Sequence, residues 1–324
     1  MIQSQTNRRI ALVTGASGQL GLLLVHALNE LGWKIFAVSR SNSFSHLSNV
    51  THIPHDWSKP INFDIPKVDI VFHLAAQTSA YKAREDIAAD VNANVTGTVN
   101  LLEQLARSGS KPAIIYTGSL TEYGITSSVL IDEKTPLSPQ TFYDAAKIAT
   151  QVYLHQFVQE GWLSKSVTLR LSNVYGNFNR IQGADRGFID RSIFKASKGE
   201  PLTYFGSGEY LRDFIHTDDV VSALVASALN IENLMLPAFN IGTGVGTSIK
   251  SSLELIAKEA ESLTGKSVEI CQADFDTTSY AIERRNSTAN SKSFQQLTGW
   301  QPKVTLNSGV RRSLREGFTI ISPK

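Results

Sequence analysis

Val13-Thr14-Gly15-Ala16-Ser17-Gly18-Gln19-Leu20-Gly21 follows directly on the apolar run from Ile10 to Val13, and an apolar-rich stretch from Leu20 to Leu31 comes after it. A buried strand, a glycine-rich turn and a helix in this order are typical of the start of a βαβ unit that binds a dinucleotide. Glycines let the backbone turn tightly and approach a pyrophosphate, which the unpaired N–H groups and positive dipole end of the helix attract. The stretch therefore predicts cofactor contacts at Gly15, Ser17, Gly18, Gln19, Leu20 and Gly21.

The composition is that of an ordinary globular protein. Of the 324 residues, 42% are hydrophobic, which suits one large α/β domain or a core with a smaller lobe. The net charge is +2 with Lys and Arg spread along the chain, so no basic stripe indicates nucleic-acid binding. The one cysteine, Cys271, excludes an intrachain disulfide and a multi-cysteine metal site, and we predict no metal. Because the sequence shows neither an apolar leader nor an apolar run of about 18 residues, we expect a cytoplasmic protein without membrane contact.

Short apolar runs alternate with helical stretches through the first half of the chain. Strands are predicted over 10–13, 34–38, 70–74, 113–117 and 167–171, and helices over 20–31, 87–107 and 143–159. This alternation favours parallel strands with right-handed crossovers, and so an α/β fold with a doubly wound Rossmann sheet.

After Tyr175-Gly176 the sequence becomes rich in Asn, Gly and Arg. This change predicts a dinucleotide-binding Rossmann domain over residues 1–176 and a smaller C-terminal substrate-binding lobe over most of 177–324, with a helix over 188–198. Segments near 212–242 are expected to return to the Rossmann core, since 239–242 is again apolar.

Tyr143 and Lys147 open the predicted helix over 143–159, and their spacing places the phenol and the ammonium on one face. A nearby positive charge is expected to lower the pKa of a phenol from about 10, which suits proton transfer with a sugar hydroxyl. Ser119 follows the predicted strand over 113–117, where it can hydrogen-bond a substrate oxygen. An amphipathic helix that carries Tyr and Lys by chance would explain the spacing alone. Downstream of a dinucleotide turn, the pattern favours a catalytic set of Ser119, Tyr143 and Lys147.

A series of short motifs runs in one order along nearly the whole chain. They are Thr14-Gly-Ala-Ser-Gly-Gln-Leu-Gly21, His73-Leu-Ala-Ala-Gln77, Asn94-Val-Thr-Gly-Thr98, Ser119-Leu-Thr-Glu-Tyr-Gly124, Tyr143-x-x-x-Lys147, Leu169-Arg-Leu-Ser-Asn-Val-Tyr-Gly176, Gly199-Glu-Pro-Leu202, Arg212-Asp-Phe-Ile-His-Thr-Asp-Asp219, Phe239-Asn-Ile-Gly-Thr-Gly244 and Gly299-Trp-Gln-Pro302. In these residues the chain resembles the extended short-chain dehydrogenase/reductases, specifically the nucleotide-sugar epimerase/dehydratase group. The resemblance implies a homodimeric enzyme that acts on a nucleotide-diphosphate sugar.

The resemblance also implies roles for single residues. Tyr143 is the acid/base, Lys147 holds the nicotinamide ribose and tunes Tyr143, and Ser119 binds the reacting sugar oxygen. Asn173 falls where the family contacts substrate, and Arg212 where it grips the nucleotide diphosphate. Further cofactor contacts are implied at Asp56, Trp57, Leu74, Ala75 and Ala76. The chain departs from the family at Asn177, where a proline usually follows the Asn-x-Tyr-Gly block, and this concerns the shape of the sugar pocket.

Arginine chemistry supports phosphate contacts independently of the resemblance. A guanidinium fork matches phosphate oxygens, although a surface ion pair with Asp213, Asp218 or Asp219 would also account for Arg212. Arg285 is a candidate for a second phosphate contact, and a solvated charge run with Arg284 is the alternative. The acids at 218 and 219 are expected to cap a helix over 220–229 rather than bind a metal with His216.

The end of the second strand indicates the cofactor and, through it, the reaction. An NAD site usually carries an acidic residue there, whereas this chain has Ser39 and Arg40, which suit the 2'-phosphate of NADP. We therefore predict NADP, with NAD and an exposed loop arginine as the alternative. A reductase consumes NADPH from the pool, so the prediction is a reductase of a nucleotide-linked 4-keto sugar.

Two other functions stay open. A 4-epimerase of the UDP-glucose 4-epimerase type would use the same Ser119, Tyr143 and Lys147, and a non-catalytic dinucleotide-binding protein would share the fold. A dehydratase is not expected, because Leu120-Thr121 stand where 4,6-dehydratases carry an Asp-Glu pair and no carboxyl is placed to remove water.

Overall fold

The computed structural model describes residues 9–57, 59–61, 63–176, 187–276 and 281–321. The strands are β1 (Ile10–Thr14), β2 (Lys34–Ser39), β3 (Val50–Pro54), β4 (Ile70–His73), β5 (Ala113–Ser119), β6 (Leu130–Ile131), β7 (Lys165–Leu171), β8 (Asn173–Tyr175), β9 (Leu202–Phe205), β10 (Leu211–His216), β11 (Ala238–Ile241), β12 (Gly246–Ser248), β13 (Ile270–Ala273) and β14 (Thr288–Ala289). The helices are α1 (Gln19–Glu30), α2 (Ala80–Glu85), α3 (Ile87–Val91), α4 (Gly97–Ser108), α5 (Phe142–Gln159), α6 (Phe188–Ser197), α7 (Thr217–Leu229), α8 (Ile249–Thr264), α9 (Lys292–Thr298) and α10 (Leu306–Ile321).

A seven-stranded sheet in the order β11-β7-β5-β4-β1-β2-β3 forms the centre of the protein. Every pair of neighbours in it is parallel. The chain builds outward from β1 to β3 on one side and then from β4 to β11 on the other. The predicted doubly wound Rossmann sheet is confirmed, and its strand order reverses between β1 and β4, where such sheets hold ligands.

Helices cover both faces of this sheet with apolar side chains. Leu24 and Leu28 of α1 and Leu224 of α7 are fully buried on one face. Leu105 of α4 and Leu154 of α5 are buried on the other. Burial of apolar surface stabilises a fold by roughly 25 cal/mol per Å², so both layers stabilise the sheet.

The region after residue 187 contributes both to a lobe and to the sheet. Ile193 of α6, Leu253 of α8 and Val310 of α10 form a separate buried cluster. β11, in contrast, pairs with β7 in the central sheet. The boundary near residue 176 stays a prediction, and residues 177–186 with Asn177 lie outside the described part of the chain.

Two helices differ in detail from their predicted form. The stretch 87–107 is not one regular helix, because a π-helical turn (Asn92–Thr96) separates α3 from α4. The helix predicted over 220–229 begins at Thr217, and its N-cap is His216, whose ring Nδ1 accepts the N–H of Asp218. Neither acid is therefore the N-cap, but both lie in the first turn of the helix, where they complement the helix dipole as the sequence suggests.

No helix among the described residues is long and apolar enough to cross a membrane. Within those same residues, no group of three or more His, Cys, Asp or Glu side chains could hold a metal ion.

Candidate active site

In the glycine-rich turn, backbone segments lie so close together that a side chain would not fit between them. Gly15 has a φ of +65°, and a Cβ at this position would lie 2.7 Å from the amide nitrogen of Ala75. A Cβ on Gly21 would meet the carbonyl oxygen of Gly15 at 2.2 Å. Gly18 is the N-cap of α1 and gives no side-chain hydrogen bond to the first N–H groups of the helix. This arrangement fits a pyrophosphate, which glycine backbone and a helix N-terminus bind well.

The predicted cofactor contacts lie along one edge of the sheet. Ser39 and Arg40 end β2, Asp56 and Trp57 follow β3, and Leu74, Ala75 and Ala76 follow β4. Arg40 is exposed, whereas Ser39 is 3% exposed and donates its hydroxyl to the carbonyl of Ser41 at 2.8 Å. The Trp57 ring lies edge-on at 5.8 Å from the ring of His73. Their contacts with a cofactor stay a prediction.

A buried histidine joins the ends of β1 and β4 to α4. His73 Nδ1 lies 2.8 Å from Thr14 Oγ1, and its Nε2 lies 2.8 Å from Thr98 Oγ1. The Thr14 hydroxyl oxygen also accepts the N–H of Ala75 at 3.1 Å, and Thr98 donates to the carbonyl of Asn94 at 2.6 Å. Burial, with repulsion from Lys147 in second place, lowers the pKa of His73 to about 3.

Tyr143 and Lys147 lie on the first turns of α5, which a reciprocal capping box starts. The Thr141 hydroxyl accepts the N–H of Asp144 at 3.2 Å, and the Asp144 carboxylate accepts the N–H of Thr141 at 3.1 Å. Lys147 is 2% exposed, and its Nζ donates to the carbonyl of Thr117 at 2.9 Å. The same Nζ lies 5.7 Å from the centre of the Tyr143 ring, so the predicted pairing on one face is present.

The electrostatics of the pair differ from the expectation. Burial raises the pKa of Tyr143 above the ordinary phenol value; Glu122 and Asp144 add to this rise, and a hydrogen bond with Ser119 opposes it. Burial lowers the pKa of Lys147 to about 8, and Glu122 acts in the opposite direction. The expectation of a lowered tyrosine pKa is wrong for this structure, because desolvation and the carboxylates of Glu122 and Asp144 raise the pKa. Tyr143 therefore carries its proton at neutral pH in this structure.

Ser119 lies at the carboxyl end of β5 and belongs to a chain of three polar side chains. Its Oγ lies 2.8 Å from Thr121 Oγ1 and accepts the N–H of Thr121 at 3.2 Å. The Thr121 hydroxyl in turn donates to Asp144 Oδ1 at 2.5 Å. Ser119, Thr121 and Asp144 all line the cleft that Tyr143 and Lys147 line.

Asp144 corrects one conclusion from the sequence, since a carboxyl does reach the cleft. Both of its oxygens accept hydrogen bonds, from Thr121 on one side and from the N–H groups of Gln140 and Thr141 on the other. Glu122 is fully buried instead, and it accepts from Ser119 N at 2.7 Å and from Arg170 Nε at 2.8 Å.

Arg212 is not a surface residue. It is 3% exposed, and its guanidinium donates to the carbonyls of Leu211, Glu283 and Arg285. The alternative of a surface ion pair with Asp213, Asp218 or Asp219 is therefore wrong. Burial, followed by repulsion from Arg285, lowers the pKa of Arg212 to about 9, and Glu283 partly opposes this.

Arg285 faces the same cleft and is 7% exposed, which excludes a solvated charge run at this position. Its Nε is buried and has no hydrogen-bond partner among the residues that the structure describes. Burial lowers the pKa of Arg285, against the attraction of Glu283 and Asp144. Two desolvated guanidinium groups in one cleft make it a strong site for an anion.

The predicted catalytic and substrate residues line one cleft of about 480 Å³, namely Ser119, Tyr143, Lys147, Asn173, Arg212 and Arg285. Gln19, Leu20 and Ala76 line it from the cofactor side. A second cleft of about 590 Å³ shares Arg191, Arg212 and Glu283 with the first and is walled by aromatic residues such as Tyr204 and Phe275. The two clefts adjoin at Arg212.

Sequence reasoning misses two connections within this site. The amide of Gln19 donates to Asp190 Oδ2 of α6 at 3.1 Å and to the carbonyl of Gly176, so the glycine turn is tied to the lobe. In the sequence, Thr121 indicates only that the Asp-Glu pair of the dehydratases is missing. In the structure, its hydroxyl donates a hydrogen bond to Asp144. No periodicity marks such links, because their partners are distant in sequence.

Known proteins resemble this chain over most of its length. Residues 11–242 match the model of the NAD dependent epimerase/dehydratase family. The dTDP-4-dehydro-6-deoxyglucose reductase of Escherichia coli is 30% identical over 94% of this chain and 96% of that protein.

Solved structures match along nearly the whole chain. The UDP-glucose 4-epimerase of Thermotoga maritima with UDP-glucose has a TM-score of 0.83 at 28% identity and covers 97% of this chain and 100% of that one. The UDP-glucose 4-epimerase of Thermus thermophilus with NAD has a TM-score of 0.80 at 25% identity, over 95% and 98% of the two chains. The chain therefore belongs to the NAD-dependent epimerase/dehydratase family of nucleotide-sugar enzymes.

Proposed function

We propose that the protein is an NADPH-dependent reductase of a nucleotide-linked 4-keto sugar. The observation that carries the proposal is the end of β2, where exposed Arg40 follows Ser39 and the carboxylate typical of NAD sites is missing. A cofactor that carries a 2'-phosphate is drawn from the NADPH pool and consumed, which suits a net reduction. The 30% identical reductase of E. coli supports the same reaction class.

The residues of the cleft have clear tasks in such a reduction. A bound nicotinamide cofactor supplies a hydride to the carbonyl carbon. The protonated Tyr143 gives its proton to the carbonyl oxygen, so that carbonyl, hydride and proton together yield the alcohol. Ser119 hydrogen-bonds the same oxygen once the reduction has made it a hydroxyl, and Lys147 holds the ribose beside it. Arg212 and Arg285 bind the diphosphate, whose charge compensates the two buried guanidinium groups.

Arg40→Ala is expected to shrink the preference for NADPH over NADH by about ten- to a hundredfold, because a charge-assisted bond to a phosphate is worth about 1.5–3 kcal/mol. Titration of the protein with each dinucleotide, followed by fluorescence, measures the preference. Lys34→Ala is the matched control, since Lys34 is an exposed cation at the opposite end of the same strand. Equal affinity of the unchanged protein for both cofactors would remove the reason for a reductase.

A 4-epimerase is the second candidate, favoured by the full-length match to UDP-glucose 4-epimerases. It would use the same Tyr143, Lys147 and Ser119 but return the hydride to the sugar. Product analysis separates the two reactions. A reductase oxidises one NADPH for each 4-keto sugar reduced, whereas an epimerase converts UDP-glucose to its C4 epimer without net cofactor consumption.

We also propose a homodimer that forms through α3 and α5. Ile87 and Val91 of α3 and Val152 and Tyr153 of α5 are 42–55% exposed, an unusual amount of apolar surface on two neighbouring helices. Sedimentation velocity at micromolar concentration should show a dimer that Val152→Lys converts to a monomer. Leu263→Lys on α8 should leave the dimer intact. A monomeric unchanged protein would contradict the proposal.

A further inference from the structure

The hydroxyl of Ser119 is not free to turn, because of two residues that the mechanism above does not use. Asp144 Oδ1 is a carboxylate oxygen and can only accept, so the hydroxyl proton of Thr121 is committed to it over 2.5 Å. Thr121 Oγ1 then has no proton left for Ser119, which lies 2.8 Å away. Of the two hydroxyls, Ser119 must be the donor.

The oxygen of Ser119 also accepts the N–H of Thr121 at 3.2 Å, which uses one of its lone pairs. Its remaining lone pair is the one available to Tyr143, with which Ser119 shares a hydrogen bond, and both side chains line the cleft. Ser119 therefore presents an acceptor, not a donor, to Tyr143 and to a ligand group that takes the place of the Tyr143 hydroxyl.

We propose that Thr121 and Asp144 are positioning residues that set the polarity of the Ser119 hydroxyl, so that Ser119 accepts a hydrogen bond from the hydroxyl at the reacting carbon of the sugar. The inference rests on the proposed binding of a nucleotide sugar in this cleft. It distinguishes the two oxidation states of the sugar, because an alcohol donates a hydrogen bond and a ketone cannot. To donate a hydrogen bond to the ketone oxygen, Ser119 must break its bond to Thr121 and rotate its hydroxyl. Tyr143 is already a donor and needs no such change.

The capping role of Asp144 does not explain this geometry. Helix α5 needs only Asp144 Oδ2 for the N–H groups of Gln140 and Thr141. Oδ1 points the other way, to the Thr121 side chain in the cleft wall. If Asp144 only capped the helix, either the Thr121 or the Ser119 hydroxyl could be the donor in the hydrogen bond between them.

The test uses binding, so it does not depend on turnover. UDP and dTDP are first titrated into the NADP-loaded protein by calorimetry, to find which nucleotide binds. The dissociation constants of the matching nucleotide-linked glucose and of its 4-deoxy-4-fluoro analogue are then compared. Fluorine cannot donate, so the unchanged protein should favour the 4-hydroxyl sugar by roughly three- to tenfold, the effect of one neutral hydrogen bond.

Thr121→Ala frees the Ser119 hydroxyl to turn its proton toward the fluorine, and the ratio should fall to within about twofold. Thr121→Ser keeps the hydroxyl and should restore the ratio. Asp144→Asn should also lower it, because an amide can turn a donor toward Thr121. Affinity for the nucleotide alone should be the same in all four proteins, which a general loss of structure would not allow.

The outcomes separate the two proposals. If the nucleotide binds but Thr121→Ala leaves the ratio of the two sugars unchanged, the positioning role is wrong and the proposed function stands. If neither nucleotide binds to the unchanged protein, the proposed function fails and this inference fails with it.

Discussion

Tyr143→Phe should reduce kcat by about 100- to 10,000-fold while cofactor affinity stays the same, because the change keeps the ring and removes only the group that carries the proton. In this structure the phenol is protonated at neutral pH, since burial raises its pKa. The step that the variant loses is therefore proton transfer from Tyr143 to the carbonyl oxygen. Rates of NADPH oxidation with a nucleotide-linked 4-keto sugar measure the effect.

Tyr153→Phe is the matched control, because Tyr153 lies on the same helix and is 44% exposed, outside the cleft. It should leave kcat unchanged. Near-normal turnover of Tyr143→Phe would remove Tyr143 from the mechanism, whatever its place in the cleft.

Arg170→Met should lower the free energy of unfolding by about 3–5 kcal/mol, because it leaves the fully buried carboxylate of Glu122 without its cation. Arg170 also donates to Tyr123 and Gln151, so a whole buried network loses its donor. Equilibrium unfolding in urea, followed by circular dichroism, measures the change. A combined Glu122→Gln and Arg170→Met protein should recover part of the loss, since the unpaired charge is gone.

Arg107→Met offers a matched control for that measurement. Arg107 pairs with Glu103 at 3.1 Å on the surface of α4, with both side chains more than half exposed. Such a pair contributes about 0.3–0.5 kcal/mol. If Arg170→Met and Arg107→Met lowered the free energy of unfolding equally, the buried pair would stabilise the protein no more than the surface pair does.

The central elements can be predicted from the sequence because their signals are local. The strand at 10–13, the glycine turn and the helix at 20–31 follow one another within about twenty residues, and the apolar spacing alone sets their types. The catalytic spacing of Tyr143 and Lys147 is local in the same sense. These predictions need no knowledge of the partners.

The short strands and the burial of the arginines cannot be predicted in this way. β8, β9, β10, β12 and β13 form two small sheets whose partners are far apart in the chain, so no periodic pattern marks them. Arg212 is a charged residue in a strand, and burial of its guanidinium is costly without hydrogen-bond partners. The carbonyls of Glu283 and Arg285, which are distant in sequence, accept its hydrogen bonds. The prediction for the pKa of Tyr143 is wrong for the same reason, because the sign of the shift depends on how much water the fold excludes.

The ring of His73 is held as a single tautomer. The Thr98 hydroxyl gives its only proton to the carbonyl of Asn94, so Nε2 must carry the hydrogen that meets Thr98, and Nδ1 accepts from the Thr14 hydroxyl. With a pKa of about 3, the imidazole carries no charge anywhere near neutral pH. Although histidines often change charge near neutral pH, His73 stays neutral and connects the end of β1 with α4 through hydrogen bonds. A drop in pH across the physiological range therefore leaves the charge of His73, beside the glycine turn, unchanged.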